Sequence, residues 1–239
     1  MTELCLYQTV HVARGRARNV AAHAALLDAA SRALFGRSYA PDPARLAARI
    51  EALAAAERYP AGVSGFVRLE LTPEGGERLL AAGISLYDGY ALRSLSPAAV
   101  TLRYDPLCPE APTSAREAAE LLAARLAALR GAAAAVRCDA EERLLTADGA
   151  PLFTVRGHTV YTAPAPASVE GCLAREAVRA AGLTLREEPL RRRELPRAEE
   201  LFYADHRGIT ALSRCDGQPL MTLVAERVAE ALEGLFPKK

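Results

Sequence analysis

Two hydrophobic rhythms alternate along this chain. Near the start, LYQTVHVARG (residues 6–15) trades apolar and polar positions at period two, which predicts a strand closing on Gly15. The period then widens to three and four. Val20, His23, Leu27, Ala30 and Leu34 share one face of a predicted helix that Asn19 is placed to cap. Asp42-Pro43 is a cap followed by a first-turn proline, and it opens a second helix with Leu46, Ile50, Leu53 and Ala56 in a stripe. GFVRLELTPEGGERLLA and ISLYDGY predict paired strands joined by a Gly-Gly turn.

Residues 104–114, YDPLCPEAPTS, hold three prolines, which break both periods. They predict a linker between a first domain, residues 1–103, and a second, residues 115–239. Ser114 and Glu117 then form the S-x-x-E signature of a helix start, and Leu122, Leu126 and Leu129 give that helix an apolar side before Gly131 stops it. Beyond it, AAVRC, RLLTA, PLFTV and TVYTA predict short strands. VEGCLAREAVRAAG predicts a helix with its own glycine stop, and LTLREEPL another strand. A strand pair in LFYADHRGITALSRC and a helix carrying Val224, Val228, Leu232 and Leu235 complete the chain. Strands and helices alternating without internal repeats predict an α/β (α+β) fold of two packed units. No GxGxxG or phosphate-loop glycine pattern supports a nucleotide fold.

Composition narrows the function classes. The chain has 239 residues, 51% apolar and 25% charged, with a net charge of +1, so electrostatics gives no case for nucleic acid or a membrane surface. Its apolar runs are alanine-rich and broken by Arg or Glu, which predicts no membrane span, and the N-terminus lacks the pattern of a signal peptide. Five dispersed cysteines without CxxC spacing point to a reducing compartment, the cytoplasm, and to neither a disulfide frame nor a zinc site. Of the 30 lysines and arginines only two are lysines, Lys238 and Lys239, the last two residues. No position in the body of the chain offers a primary amine.

Candidate chemistry gathers at Asp205, His206 and Arg207, between the last predicted strand pair. Neighbours on a turn point in different directions and no serine or cysteine nucleophile is adjacent in sequence, so the reading is a solvated loop with a local Asp–Arg pair. His23 reads as a core histidine. His11 and His158 stand alone, and four isolated histidines make no metal site. Cys172, at a predicted helix start, reads as a small buried cysteine, Arg191-Arg192-Arg193 as a solvated face, and Tyr7, Tyr87, Tyr90 and Tyr203 as core or interface aromatics.

The order of three strings resembles the fold-type IV pyridoxal-phosphate enzymes, which include branched-chain and D-amino-acid aminotransferases and aminodeoxychorismate lyase. They are YQTVHVARGRARNVAAHAALLDAA, TVYTAPAPASVEGCLAREAV and LFYADHRGITALSRCDGQPLMTLVAERVAEAL. The resemblance implies two α/β domains with a cofactor cleft between them, in a homodimer, and it places the Asp205–Gly208 loop by the cofactor phosphate. It also implies departures. The position of the family's Schiff-base lysine aligns with Thr113, and that of its phosphate arginine, three residues after His23, with Leu26. The carboxylate that holds the pyridine nitrogen aligns with Thr146, with Asp148 two residues away. Gly171, Cys172 and Leu173 stand at the helix start where the family offers a hydroxyl, and His206, Arg207 and Gly208 replace a hydroxyl-rich turn.

A threonine forms no imine and a leucine binds no phosphate. The resemblance therefore implies a scaffold with a degenerate cleft, no catalytic residue and no expected cofactor, open to a small molecule or a protein partner. Two alternatives stand beside it. One is an active pyridoxal-phosphate aminotransferase or lyase. The other is an enzyme without that cofactor, working through Asp205, His206 and Arg207 or through Cys172.

Overall fold

In a computed structural model the described residues are 4–60, 62–93, 96–164 and 168–236. They form two compact units. The first runs to Gly89 and regains Cys108–Arg116; the second takes Tyr90–Leu107 and the described residues from Glu117 onward.

The first unit is a four-stranded antiparallel sheet with two helices. Strands β1 (Leu6–Ala13), β2 (Arg16–Ala17), β3 (Gly65–Leu71) and β4 (Glu77–Ile84) lie in the order β2-β1-β3-β4. Helices α1 (Val20–Phe35) and α2 (Pro43–Ala56) bury Val20, Leu27, Leu46 and Ile50 against Leu6, Val10, Val67 and Leu69 of the sheet. Asp42 caps α2 as its sequence predicts, its carboxylate accepting the Arg45 N–H at 2.8 Å. Asn19 does not cap α1 with its side chain. It takes a left-handed conformation (φ 55°), and Leu34 is 41% exposed rather than part of the buried stripe. ISLYDGY forms no full strand, because β4 ends at Ile84.

Two local devices hold this sheet. The Tyr59 ring lies where a Cβ on residue 65 would stand, 1.8 Å from its Cδ2, so only glycine fits there. The Tyr59 hydroxyl donates to the Phe66 carbonyl at 3.0 Å, beside the irregular pairing between Gly65 and Val67. His11 Nε2 lies 2.7 Å from the Ser64 hydroxyl, which accepts the Gly89 N–H at 2.7 Å, and both side chains are fully buried. His23 is buried as expected, its Nδ1 2.9 Å from the Gln8 Oε1.

The second unit is built on one mixed sheet. Its strands are β5 (Ala91–Leu92), β6 (Ala98–Arg103), β7 (Ala134–Cys138), β8 (Leu144–Ala147), β9 (Ala150–Arg156), β10 (Thr159–Thr162), β11 (Thr184–Arg186), β12 (Glu200–Asp205), β13 (Gly208–Ala211), β14 (Arg214–Cys215) and β15 (Gln218–Pro219). The order along the main path is β15-β14-β6-β7-β8-β9-β12-β13-β5, with β10 on β9 and β11 on β10. Its helices are α3 (Ser114–Leu129, from Glu117 on), α4 (Val169–Ala180) and α5 (Leu223–Gly234), and a short 3₁₀ turn spans Arg192–Arg197.

Both faces of this sheet are covered. Phe153 and Phe202 stack at 5.1 Å among residues of α4 and α5, whereas their neighbours Leu152, Leu201 and Tyr203 join Val136, Leu144 and Leu212 on the opposite side. That is why PLF and LFY read as unbroken apolar runs instead of an alternation.

Three features differ from what the chain pattern predicts. Strand β6 pairs in parallel with β7 and β14, so residues 90–103 belong to the second unit and not, as the proline-rich boundary suggested, to the first. Pairing between distant strands is invisible to local periodicity. Ser114 is not the cap of α3: the Thr113 hydroxyl accepts the Arg116 N–H at 3.0 Å, and the Ser114 hydroxyl takes the Cys5 N–H instead. Finally, α3 buries Ala123 and Ala127 against Leu102 and Ala135, while Leu121, Leu122, Leu126 and Leu129 face outward. Small side chains let the helix backbone approach the sheet closely, which leucines on that side would prevent.

Candidate functional site

A polar cluster of the second unit surrounds the β12–β13 hairpin. Asp205 pairs with Gly208 at its base, leaving His206 and Arg207 as a two-residue loop. Gly208 has φ 120°, and a Cβ there would meet the Ala91 carbonyl oxygen at 2.4 Å, so the close β13–β5 approach requires glycine. Asp205 Oδ2 accepts from Arg207 Nε at 2.9 Å and Nη2 at 2.6 Å, and Oδ1 accepts the Arg207 N–H at 2.8 Å. The local Asp–Arg pair is therefore present. It is more than a solvated contact, because Asp205 is largely enclosed: its side chain is 12% exposed. Burial alone would raise the carboxyl's pKa, yet the positive charge of its neighbours and the Arg207 bonds hold it below the usual range. Burial drives His206 the other way, down to about 4, so its imidazole is neutral at physiological pH.

A chain of hydrogen bonds runs through the strand behind this loop. Arg93 Nη1 donates to Thr210 Oγ1 at 3.2 Å. Thr210 is bonded to Tyr203, its cross-strand partner, and the Tyr203 hydroxyl donates to Asp148 Oδ2 at 3.4 Å. Asp148 Oδ1 accepts the Ala135 N–H at 2.9 Å. Burial pushes the Tyr203 hydroxyl up to about 12 and raises the Asp148 carboxyl. Asp148 and Gly149 both have positive φ, forming the two-residue Asp-Gly turn between β8 and β9 that aims this carboxylate inward.

Helix α4 contributes its first turn. The Ser168 hydroxyl caps it, accepting the Gly171 N–H at 3.0 Å. A Cβ on Gly171 would lie 2.9 Å from the Pro151 Cγ, so the turn rests directly on β9. Glu170 is buried, and desolvation, reinforced by the charge of Asp205, raises its carboxyl to about 8. A protonated acid thus stands at the start of a helix whose dipole ordinarily favours a negative charge.

The sequence candidates separate by unit. Leu26, half-buried on α1, and Thr113, buried ahead of α3, belong to the first. Gly171, His206, Arg207 and Gly208 fall on the elements of the second-unit cluster. Thr146 pairs with Arg137 and Pro151 on β8, and Asp148, two residues on, joins the cluster. Cys172 is exposed rather than buried, and Leu173 packs against the apolar core. Arg93, Glu170, Tyr203 and Thr210 were not singled out as site residues. Of these only Glu170 carried a signal, an acid two residues past a helix-capping serine. Arg191–Arg193 are exposed, as expected. Among the described residues no group of His, Cys, Asp or Glu could hold a metal ion, and no helix is long and apolar enough to cross a membrane.

The family model for amino-transferase class IV matches residues 5–205. The chain belongs to the class IV aminotransferase family. Its members depend on pyridoxal phosphate, and the fold is that of fold-type IV. Among solved structures, a fold IV transaminase of Curtobacterium pusillum superimposes with a TM-score of 0.79 at 20% identity, covering 97% of this chain and 84% of that one. The branched-chain amino acid aminotransferase of Escherichia coli gives 0.79 at 15% identity, with 97% and 85% covered. An aminotransferase of Brucella abortus, bound to the cofactor PLP, gives 0.78 at 17% identity, with 97% and 88% covered. No curated protein matches the sequence. Within the class IV frame, the second-unit cluster sets carboxyl, imidazole, guanidinium and phenol groups side by side. Among the described residues it brings together no nucleophile activated by a base.

Proposed function

We propose that this class IV aminotransferase-fold protein does not carry out Schiff-base transamination and instead binds a small molecule through the polar cluster of its second unit. The observation that carries this reading is the residue aligned with the family lysine. Thr113 has a hydroxyl that cannot form an imine and that is engaged in holding the Arg116 N–H. Residues 4–236 contain no lysine to replace it.

The remaining donors also fit a phosphate dianion badly. Arg207 directs both its Nε and Nη2 at Asp205, and the Asp148 and Asp205 carboxyls occupy the cluster beside two guanidinium groups. Bringing a dianion among them would set like charges together in an enclosed site. A ligand with neutral donors and acceptors suits a neutral imidazole, a protonated carboxyl and a tyrosine hydroxyl better.

The test is an absorbance scan of the purified protein incubated with pyridoxal phosphate, followed by borohydride reduction and intact-mass measurement. The expected result, read by peptide mapping, is no pyridoxyl adduct within residues 4–236, any adduct being confined to the terminal amine and Lys238–Lys239. An adduct within residues 4–236, or amino-group transfer that depends on the cofactor, overturns the proposal and restores an active aminotransferase.

A further inference from the structure

We infer that the 3₁₀ turn Arg192–Arg197, together with Arg191 before it, is a docking surface for an extended acidic segment of another protein. Residues 191–197 hold four arginines against one glutamate, three positive charges in excess in a chain whose total is +1. The remainder of the chain is therefore slightly acidic, and the positive charge is local to this stretch. The two acids that reach it are already engaged. Glu194 takes Arg156 at 3.2 Å, and Asp216 takes Arg192 at 3.3 Å. Arg191, Arg193 and Arg197 are exposed, and among the described residues none of their guanidinium groups forms an ion pair.

A cross-strand pair adds a second observation. Arg191 lies opposite Arg143 in an antiparallel bridge. The flanking bonds run from the Leu144 N–H to the Leu190 carbonyl at 2.8 Å and from the Arg192 N–H to the Glu142 carbonyl at 2.7 Å. That makes it a non-hydrogen-bonded pair, the kind whose side chains stand closest. Like charges directly opposite are unfavourable. Asp139 and Glu141 offset Arg143 at 2.6 and 3.2 Å, whereas Arg191 has no such counter-ion, and a carboxylate from a partner would supply one. The backbone beneath is already fixed: Leu195 is buried, and its carbonyl accepts the Ala198 N–H at 2.9 Å. A set frame lowers the ordering cost of binding.

The same stretch favours a peptide over a nucleic acid. A 3₁₀ turn rises about 2 Å per residue, so Arg191 and Arg197 are ~12 Å apart along its axis. An extended peptide sets alternate side chains ~7 Å apart, so acids at alternate positions span that distance. A phosphate backbone is charged at every unit and would meet Glu187, Glu188 and Glu199 on either side of the stretch. Residues 186–199 also carry no aromatic ring on which a base could stack. A few exposed ion pairs give weak, salt-sensitive association.

Fluorescence anisotropy of a labelled peptide with glutamate at alternate positions, titrated with the full chain, tests the surface. At about 50 mM salt the expected Kd is on the order of tens of micromolar, weakening at least about fivefold at about 300 mM. The double variant Arg191→Gln/Arg193→Gln should weaken binding at least about tenfold while circular dichroism shows the same fold. Arg125→Gln/Arg130→Gln, which removes two exposed arginines on and just past α3, should bind as the wild type does. No binding by the wild type up to about 1 mM protein overturns the inference. So does an equal loss in both double variants, which would mean general charge attraction only. A single-stranded RNA of matched length and charge that binds more tightly than the peptide, and loses that binding in Arg191→Gln/Arg193→Gln, overturns it in favour of a nucleic acid.

Discussion

Single side chains in the second unit show how enclosure, not neighbouring charge alone, sets protonation. Glu170 is raised from its ordinary 4.5 to about 8 chiefly by burial. Between these values the folded state keeps a proton that the unfolded chain has released, so stability is full below pH 4.5 and falls as pH rises through about 8. The Glu170→Gln variant cannot ionise and should lack this dependence. Measured by urea unfolding, its stability relative to the wild type is expected to improve between pH 5 and pH 8, by up to about 1.4 kcal/mol for each tenfold fall in proton concentration. A difference that stays flat over this interval would place the Glu170 proton elsewhere. His206 runs in the opposite sense. Depressed to about 4, it contributes stability that is present above 6.5 and lost as pH falls toward 4. The two windows overlap below pH 6.5, so the Glu170 comparison is cleanest between pH 6.5 and pH 8.

Elements, more than residues, decided what could be read from the chain. Helix α4 was legible because a glycine stops it, and α2 because a cap, Asp42, and a periodic stripe lie within one short window. The β12–β13 hairpin was legible for the same reason, including its Asp205–Arg207 pair. Helix α3 was legible in extent but not in facing, since periodicity reports that a stripe exists and not whether the core or another molecule covers it. Strand β6 went to the wrong unit because its partners lie more than thirty residues away on β7 and beyond one hundred on β14. The cluster of Arg93, Thr210, Tyr203 and Asp148 escaped for that reason too, being assembled across four strands and loops. Helix α5 adds a further case. Its first N–H groups, Val224 and Ala225, donate to the Glu200 carboxylate of β12 at 2.8–3.0 Å, whereas its own Thr222 makes no side-chain cap. Glu200 is 1% exposed, so Glu200→Ala leaves buried donors unmatched and should cost on the order of 2 kcal/mol in chemical denaturation. A loss below a few tenths would show that solvent reaches the helix start.

At the scale of the whole molecule, the class IV frame persists over 96–97% of the chain in alignments of 14–22% identity, while residues 4–236 contain no lysine. The fold itself needs no lysine, because the core of the second unit is held by apolar packing on both faces of its sheet. Amine-directed labelling gives a direct check on the missing amine. With an N-hydroxysuccinimide ester in excess, modification of the native and of the urea-unfolded protein should be confined to the chain start and Lys238–Lys239. Extra sites on unfolding would contradict it.

The same absence has a consequence at high pH. Ion pairs within each unit, from Arg14–Asp88 and Arg49–Glu77 in the first to Arg137–Asp105 and Arg207–Asp205 in the second, use a guanidinium as the cation. An ammonium would surrender its proton near 10.4, but a guanidinium keeps its own beyond 12. In strongly alkaline solution these attachments outlast those of a lysine-bearing relative, and unfolding there must begin with hydroxide acting on phenols, thiols and buried acids.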